Sequence, residues 1–249
     1  ADFVFHIRAI DNQQHTDPTP ASLTVPVKNS PPQVTVIPGL NVPVKSFPAL
    51  RYFWEGSDPD GFQNLDHYEI CFNDTTGPIV QLSATTSSAI IEAENPTETA
   101  LSCQIFPNGG TIALGETISG LSGDAWNTFY IRAVDQSNAT SPFVAADSIY
   151  IKRVHSTVLL VNGYSTTTNE AFYINHLATQ GITTVDTMQV FSTVDGAYTQ
   201  QSADNLTQGK IFDMFDVIIW FSNDANNSFS LAQKTTEAFF NSGGKMLMS

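Results

Sequence analysis

The sequence has few basic residues and no long apolar run, and each shortage excludes a class of function. Only 10 of the 249 residues are Lys or Arg, against 24 Asp or Glu, so the formal net charge is −14. Such a charge repels nucleic-acid phosphates and anionic lipid headgroups, which excludes nucleic acid as an expected partner. No apolar run approaches the ~20 residues of a membrane-spanning helix, so no membrane insertion is expected.

The chain has only two cysteines, Cys71 and Cys103. Their spacing does not match a zinc site, and a catalytic cysteine would need a histidine partner that the sequence cannot place. Two interpretations stay open: a pair of buried free thiols, and a disulfide across the β-rich region, which an oxidising compartment would permit. A reactive cysteine is the least favoured alternative.

Glycine-rich fingerprints for cofactors are also missing. The sequence contains neither a Walker loop nor a GxGxxG pattern, the two arrangements in which backbone amides hold phosphates. It also lacks the G-x-S-x-G elbow that exposes a nucleophilic serine. We therefore expect no cofactor and assign no catalytic residue.

A repeat organises the first part of the chain. Phe5-His6-Ile7-Arg8-Ala9-Ile10-Asp11 reappears as Phe129-Tyr130-Ile131-Arg132-Ala133-Val134-Asp135, from 5 to 129, an offset of 124. The same offset carries Val25, Val27 and Lys28 onto Ile149, Ile151 and Lys152. Two matched segments in unbroken register indicate a repeated structural unit.

Each copy of the repeat predicts a hairpin that closes a β-sandwich. Alternate residues are apolar, which is typical of a half-buried antiparallel strand, and a polar turn with Pro18 or Pro142 leads to a second strand. Residues 1–30 are then interpreted as the last two strands of a first sandwich. With about 100–200 residues per domain, the length leaves room for two more domains at 31–153 and 154–249.

Residues 31–153 carry the pattern of a complete second sandwich. The predicted strands before its closing hairpin are Gln33–Ile37, Ala49–Gly56, His67–Asn73, Ile79–Ala84, Ala89–Ala93 and Thr111–Ile118. The tryptophan strand Phe53–Gly56, the turn Ser57–Gly61 and the segment Asn127–Asp135 resemble fibronectin type III domains of bacterial surface proteins. This resemblance implies an all-β, fibronectin type III or immunoglobulin-like sandwich in an extracellular, cell-surface or periplasmic protein.

Asp58 and Asp60 lie in that turn and are candidate metal ligands. Carboxylate oxygens suit calcium, although that ion wants several of them, and Asp66 is a further possible donor. The favoured alternative is a Pro-Asp-Gly turn, in which Pro59 presets φ and Gly61 takes a positive φ.

Residues 154–249 change to an alternation of strands and helices, which predicts a truncated α/β three-layer parallel-sheet domain. Strands are predicted at Val158–Val161, Val185–Val190, Val217–Trp220 and Lys245–Met248. One helix is expected after a Thr167 and Glu170 capping box, with Tyr173 and Leu177 on one face and Gly181 as its left-handed stop. A second helix is expected from a Ser230 and Gln233 capping pair to Asn241.

The segments Phe215–Trp220 and Phe239–Ser249 resemble the glutamine-amidotransferase-like superfamily, with its flavodoxin-like sheet. They resemble most the non-amidotransferase members appended to surface and carbohydrate-related proteins. The resemblance implies a cysteine nucleophile directly after Lys245–Met248, so the catalytic elbow is expected beyond Ser249, and residues 154–249 are expected to be an amino-terminal half. No cysteine occurs in 154–249.

Ligands of open parallel sheets bind outside the carboxyl ends of the strands. The candidate ligand-binding residues are therefore Asn162, Gly163, Tyr164, Ser165, Asn223 and Asp224, with Ser249 beside them. The alternative interpretation is that these residues only make strand-to-helix turns.

Three functions remain in view. The leading hypothesis is a noncatalytic surface or secreted protein of spacer and binding modules, whose ligand is a protein or a carbohydrate. The second is a hydrolase or amidotransferase-like enzyme whose chemistry lies beyond Ser249. The third is adhesion or carbohydrate binding by the sandwich, for which Trp126 is a candidate, while Trp54 alternates with core residues. An unpaired strand edge near Ser249 also predicts either partial disorder there or self-association through that edge.

Overall fold

The computed structural model describes residues 2–26, 28–38, 43–164, 169–194, 197–200, 202 and 204–249. Across these residues the fold is predominantly β, with twenty strands and four α-helices. Within the same ranges, none of the helices combines the length and the apolar character that crossing a membrane requires.

The amino-terminal segment forms an antiparallel hairpin. Strand β1 (Asp2–Ile7) pairs with β2 (Ala21–Pro26), and Phe5 lies opposite Leu23. Six apolar side chains of this hairpin are between 39% and 73% exposed, namely Phe3, Val4, Phe5, Ile7, Leu23 and Val25. The hairpin therefore leaves its apolar residues in contact with solvent.

The next twelve strands form a β-sandwich. They are β3 (Gln33–Ile37), β4 (Lys45–Ser46), β5 (Ala49–Ser57), β6 (Leu65–Phe72), β7 (Val80–Ser83), β8 (Ser88–Ala93), β9 (Ala100–Pro107), β10 (Ile118–Ser122), β11 (Ala125–Asn127), β12 (Phe129–Asp135), β13 (Val144–Ala145) and β14 (Ile149–Ile151). One sheet has the order β10-β9-β8-β5-β3 and the other β13-β12-β6-β7. A third sheet has the order β11-β14-β4, in which β14 and β4 are parallel.

One hydrophobic core lies between the two larger sheets. Trp54 is fully buried there, and the Tyr52 and Phe129 rings stack with their centroids 4.2 Å apart. The predicted core position of Trp54 is confirmed. The all-β part of the chain is thus a sandwich of the kind that the fibronectin type III resemblance implies.

Two features of the predicted sandwich were wrong. Residues 111–117 form no strand, because Gly115 interrupts the alternation and Ile112 is 84% exposed; the ladder instead uses β9, whose Leu101, Cys103 and Ile105 are buried. The closing hairpin of the second copy is also absent. Strand β12 pairs with β6 and β13, whereas β14 pairs with β11 and β4, so the last strand crosses to another sheet.

The repeat is visible in the turn that follows each copy. The carboxylate Oδ1 of Asp11 accepts the amides of Gln13 and His15 at 2.8 Å. The Oδ1 of Asp135 accepts the amides of Ser137 and Ala139 at the same distance. The bridges Ile10 to Thr16 and Val134 to Thr140 also match. Both turns are therefore built by the same aspartate.

The remaining elements surround a parallel sheet. They are β15 (Val158–Asn162), α1 (Glu170–Thr179), β16 (Asp186–Gln189), β17 (Phe191–Val194), β18 (Ala197–Gln200), α2 (Asn205–Phe212), β19 (Val217–Phe221), α3 (Ala225–Thr235), α4 (Glu237–Asn241) and β20 (Lys245–Met248). The sheet has the order β16-β15-β19-β20, and every pair in it is parallel. Strands β17 and β18 form a separate antiparallel hairpin.

Both faces of the parallel sheet are covered. Tyr173 and Leu177 of α1 pack against the face that carries Leu160, Ile219 and Phe221. The opposite face packs against residues of α2, α3 and α4, together with Phe47 and Ala49 from the sandwich. The sandwich and the parallel sheet therefore share part of one apolar core.

The predicted helix starts need correction. Ser230 and Gln233 lie inside α3 and form no capping pair, because the helix begins at Ala225 and the Asp224 side chain accepts the Asn227 amide at 3.1 Å. The predicted box with Glu170 depends on Thr167, which lies outside the described residues. Gly181 does follow α1 with a φ of +87°, as predicted.

Both cysteines are buried free thiols, so the disulfide alternative is wrong. They lie on strands of different sheets, Cys71 on β6 and Cys103 on β9. Burial raises the pKa of both, and that of Cys103 reaches about 12. A thiol that stays protonated is a poor nucleophile.

Candidate functional site

The carboxyl ends of β15 and β19 form the candidate site. The chain runs from β15 to β16 on one side and later to β19 on the other, so the strand order reverses between β15 and β19. Crevices at such a reversal are the usual ligand sites of open parallel sheets. We call the group Gly163, Ser222, Asp224, Ser228 and Ser249 the strand-end site.

Gly163 holds the two strand ends close together. Its amide donates to the carbonyl of Phe221 at 2.8 Å. A Cβ at this position would lie 2.8 Å from the hydroxyl oxygens of Ser222 and Ser228, closer than packed atoms allow. The position therefore requires glycine because of space.

The two serines form a hydrogen-bonded pair beneath Gly163. The hydroxyl of Ser228, which is fully buried, donates to that of Ser222 at 2.7 Å. The Ser222 oxygen also accepts the Asp224 amide at 3.0 Å and lies 3.2 Å from the Gly163 carbonyl. Across the described residues, neither of these two hydroxyls forms a hydrogen bond with a histidine.

Asp224 caps helix α3 at this site. Its carboxylate accepts the amide of Asn227 and, at 2.6 Å, the side-chain Nδ2 of the same residue. This contact caps α3. Asn223 beside it is exposed.

Asn162 and Tyr164 shape the turn after β15. The buried Asn162 side chain accepts the Tyr164 amide at 2.8 Å, and the Tyr164 carbonyl accepts Gln189 Nε2 at 3.2 Å. The structure thus brings together Asn162, Gly163, Tyr164 and Asp224. It also shows hydrogen bonds within the strand-to-helix turns, which the alternative interpretation of these residues predicted. Ser165 lies outside the described residues.

Residues that sequence reasoning missed complete the site. The Ser222 amide donates to the Ser249 carbonyl at 3.0 Å, and the Tyr173 hydroxyl lies 3.3 Å from the Ser249 hydroxyl. Ser222 could have been found because it directly follows β19. Ser228 and Tyr173 could not, since they reach the site from helices.

Asp58 and Asp60 form the predicted turn. The Asp60 amide donates to Asp58 Oδ1 at 2.7 Å, and Gly61 has a φ of +115°. Among the residues that the structure describes, the other Asp58 oxygen is buried without a hydrogen-bond partner, and Asp60 accepts the Ser30 amide. In the described ranges no three His, Cys, Asp or Glu side chains cluster as metal ligands, and metal binding by Asp58 and Asp60 stays a prediction.

Comparisons with known proteins give little. No protein-family model matches the chain, and no curated protein matches it. A solved structure of fibronectin(III)-like modules of Clostridium thermocellum CbhA aligns with 14% identity and a TM-score of 0.28. The alignment covers 58% of this chain and 59% of that one. At this TM-score the similarity supports no conclusion about this chain. The β-sandwich is assigned from the pairing of its own strands.

Proposed function

We propose that the chain is a noncatalytic part of an extracellular, cell-surface or periplasmic protein, in which the β-sandwich is a spacer and the strand-end site binds a ligand. The observation that carries the proposal is the position of this site at the reversal of strand order. The exposed hydroxyl of Ser249 and the Tyr173 hydroxyl 3.3 Å from it suit a hydroxyl-rich ligand, because such groups can both donate and accept hydrogen bonds. A carbohydrate is such a ligand.

The proposal includes the domain arrangement. Residues 1–30 would be two strands of one sandwich repeat, 31–153 a complete sandwich, and 154–249 part of a three-layer domain of the glutamine-amidotransferase-like kind. The order β16-β15-β19-β20 supports the last assignment, since it reads 2-1-3-4 in chain order, as in flavodoxin-like sheets. Coverage of both sheet faces supports it further.

The test is amide chemical-shift mapping of the ¹⁵N-labelled chain against a panel of neutral monosaccharides and disaccharides. We expect shifts at the amides of Gly163, Ser222 and Asp224. Asp224→Asn keeps an oxygen that can cap α3 but removes the charge, and it should weaken these shifts. Glu237→Gln, an exposed acid elsewhere, is the matched control and should leave them unchanged.

Two outcomes would count against the proposal. One is the absence of shifts at the strand-end site with every sugar of the panel. The other is equal weakening by Asp224→Asn and Glu237→Gln, which would show a general charge effect.

We also propose self-association through β20. This strand pairs only with β19 in the described sheet, and Leu247 on it is 62% exposed. An unpaired edge with an exposed apolar side chain favours pairing with a second chain. Leu247→Lys should lower the sedimentation coefficient at high concentration relative to the unchanged chain, and equal values for both would contradict the proposal.

A further inference from the structure

The outer face of the sheet β11-β14-β4 presents a row of three side chains. Trp126 lies opposite Tyr150, and Tyr150 lies opposite Lys45, one residue from each strand. Their strand neighbours Asn127, Ile149, Ile151 and Ser46 are at most 5% exposed. Because strand residues alternate between faces, the row points away from the core. We call Trp126, Tyr150 and Lys45 the aromatic row.

The aromatic row is open to ligands. Trp126 is 55% exposed, whereas Trp54 and Trp220 are fully buried. Its ring meets the Tyr150 ring edge-on at 5.8 Å, and Lys45 Nζ lies 5.6 Å from the Tyr150 centroid. An exposed tryptophan beside a tyrosine offers a large, rigid apolar surface with polar tips, the combination that suits the mixed apolar and hydroxylated faces of a sugar.

Lys45 also lines a cleft of about 330 Å³ together with Phe47, Lys152 and Gln189. Lys152 Nζ donates to the carbonyl of Thr187 at 2.5 Å and lies 4.4 Å from the Phe47 centroid. No carboxylate in the described part of the chain forms an ion pair with either lysine. Each ammonium has three donors, so hydrogen-bonding capacity remains at both.

The positive charge of the two lysines in this cleft favours an anionic ligand. In a chain of −14 net charge, two of only ten basic residues line one cleft. Asp186, the acid that raises the pKa of Lys152 most, already accepts the amides of His155 and Ser156 at 2.7 and 2.9 Å. Burial lowers the pKa of Lys152 although Asp186, Glu170 and Asp124 act to raise it, so an anion entering the cleft would offset the cost of its charge.

We propose that the aromatic row and the adjoining cleft bind a carboxylate-bearing glycan, with sugar rings on Trp126 and Tyr150 and a carboxylate between Lys45 and Lys152. An acidic peptide fits less well. Strand β4 has two residues and lies between Pro43 and Pro48, and proline cannot supply the amides that an added strand needs. This site is separate from the strand-end site and does not depend on it.

Tryptophan fluorescence and calorimetric titration test the proposal with three probes: tetragalacturonate, neutral cellotetraose and tetraglutamate. We expect tetragalacturonate to bind and to shift the emission of Trp126, the exposed tryptophan. Trp126→Ala should raise its Kd about tenfold or more, as loss of a central aromatic contact does. Lys45→Met and Lys152→Met should each raise it about fivefold or more, since each removes one charge-assisted contact.

Matched controls separate this site from general effects. Lys28 is the repeat counterpart of Lys152 and is exposed, and Phe62 is an exposed aromatic in the short 3₁₀ helix Phe62–Asn64. Lys28→Met and Phe62→Ala should leave the Kd within about twofold. Absence of tetragalacturonate binding would overturn the proposal. So would tetraglutamate binding as tightly, or an unchanged Kd in Trp126→Ala. Trp126→Ala should not alter the sugar-induced amide chemical-shift changes at Gly163. The two experiments can therefore contradict this proposal and the proposed function independently of each other.

Discussion

At the scale of single residues, the strand-end site depends on the closeness of Gly163 to Ser222 and Ser228. A methyl group at 163 would lie 2.8 Å from both hydroxyl oxygens, so Gly163→Ala should force the strand ends apart. We expect a loss of about 1–3 kcal/mol in the free energy of unfolding, the usual cost of overpacking. Urea denaturation measures it.

Gly115→Ala is the control for this change, because nothing lies within 4 Å of the added methyl group and the residue has no positive φ. It should be neutral or stabilise by about 0.4–1 kcal/mol, since alanine restricts the unfolded chain. Equal effects of the two substitutions would mean that the serines move aside without cost.

Because of Cys103, we expect the free energy of unfolding to fall with increasing pH in the alkaline range. Burial, followed by Glu94 and Glu92, raises its pKa from 9.0 to about 12. Between these values the unfolded chain has lost the proton and the folded chain has kept it, so this contribution to stability is complete below pH 9 and falls as the pH rises toward 12. At pH 10 the loss should be about 1 kcal/mol.

Cys103→Val removes the titrating thiol while keeping an apolar side chain of similar size. Urea denaturation at pH 8 and pH 10 should show a smaller drop in stability for this variant than for the unchanged chain. Identical drops would place the alkaline sensitivity elsewhere, for example at Tyr52, whose pKa burial also raises.

At the scale of elements, α2 is held against the sandwich by charged contacts. Asp204 caps the helix by accepting the Thr207 amide at 2.8 Å and also pairs with Arg51 of β5. At the other end of the helix, Lys210 pairs with Glu92 of β8 at 2.5 Å. The helix thus links the parallel sheet to the sandwich by contacts at both of its ends.

Asp204→Ala should cost about 2–3 kcal/mol of unfolding free energy, because it removes the cap and leaves the Arg51 charge without its carboxylate. Asp224→Ala, which removes a cap that has no arginine partner, should cost only about 1 kcal/mol. Denaturant titration compares them, and equal costs would show that the Arg51 contact contributes nothing.

The same aspartate should affect stability in acid. Burial acts to raise the pKa of Asp204, but hydrogen bonds from Thr207 and Arg51 outweigh it, and the pKa lies below 3.8. Its contribution to stability is therefore present above about pH 4 and is lost as the pH falls through the folded-state pKa. Asp204→Ala should show a flatter decline below pH 4.

At the scale of the whole molecule, the two copies of the repeat have opposite environments. Phe5 and Ile7 are 59% and 73% exposed, while their counterparts Phe129 and Ile131 are at most 1% exposed. The contacts of the amino-terminal segment with the sandwich include hydrogen bonds from Asn29 to Asp135 and from Ser30 to Asp60. Both of these involve the linker after the hairpin.

Deleting residues 1–28 should leave the melting temperature of the remaining chain within a few degrees of its original value, because the hairpin buries few apolar side chains. Binding of a dye that reports exposed apolar surface should fall at the same time. A large fall in melting temperature would show that the hairpin supports the sandwich.

Much of the fold followed from local patterns. Strands at Gln33–Ile37 and Lys245–Met248 have the predicted bounds, because alternation or an apolar run marks each end. Helix α2 was missed, since two of its four buried residues, Thr207 and Gln208, are polar and Gly209 lies within it. For the site, residues after strand ends were predictable, but Ser228 and Tyr173 depend on how helices pack.

The sequence by itself determined strands such as Gln33–Ile37 and Lys245–Met248, the repeat and the aspartate turns, because these depend on residues only a few positions apart. Only the tertiary structure decided which strands pair, to which sheet β14 belongs and which apolar side chains are buried. Phe5-His6-Ile7 and Phe129-Tyr130-Ile131 show the reason, since similar local sequences end up exposed in one case and buried in the other. Burial depends on partners far along the chain, which no local pattern contains.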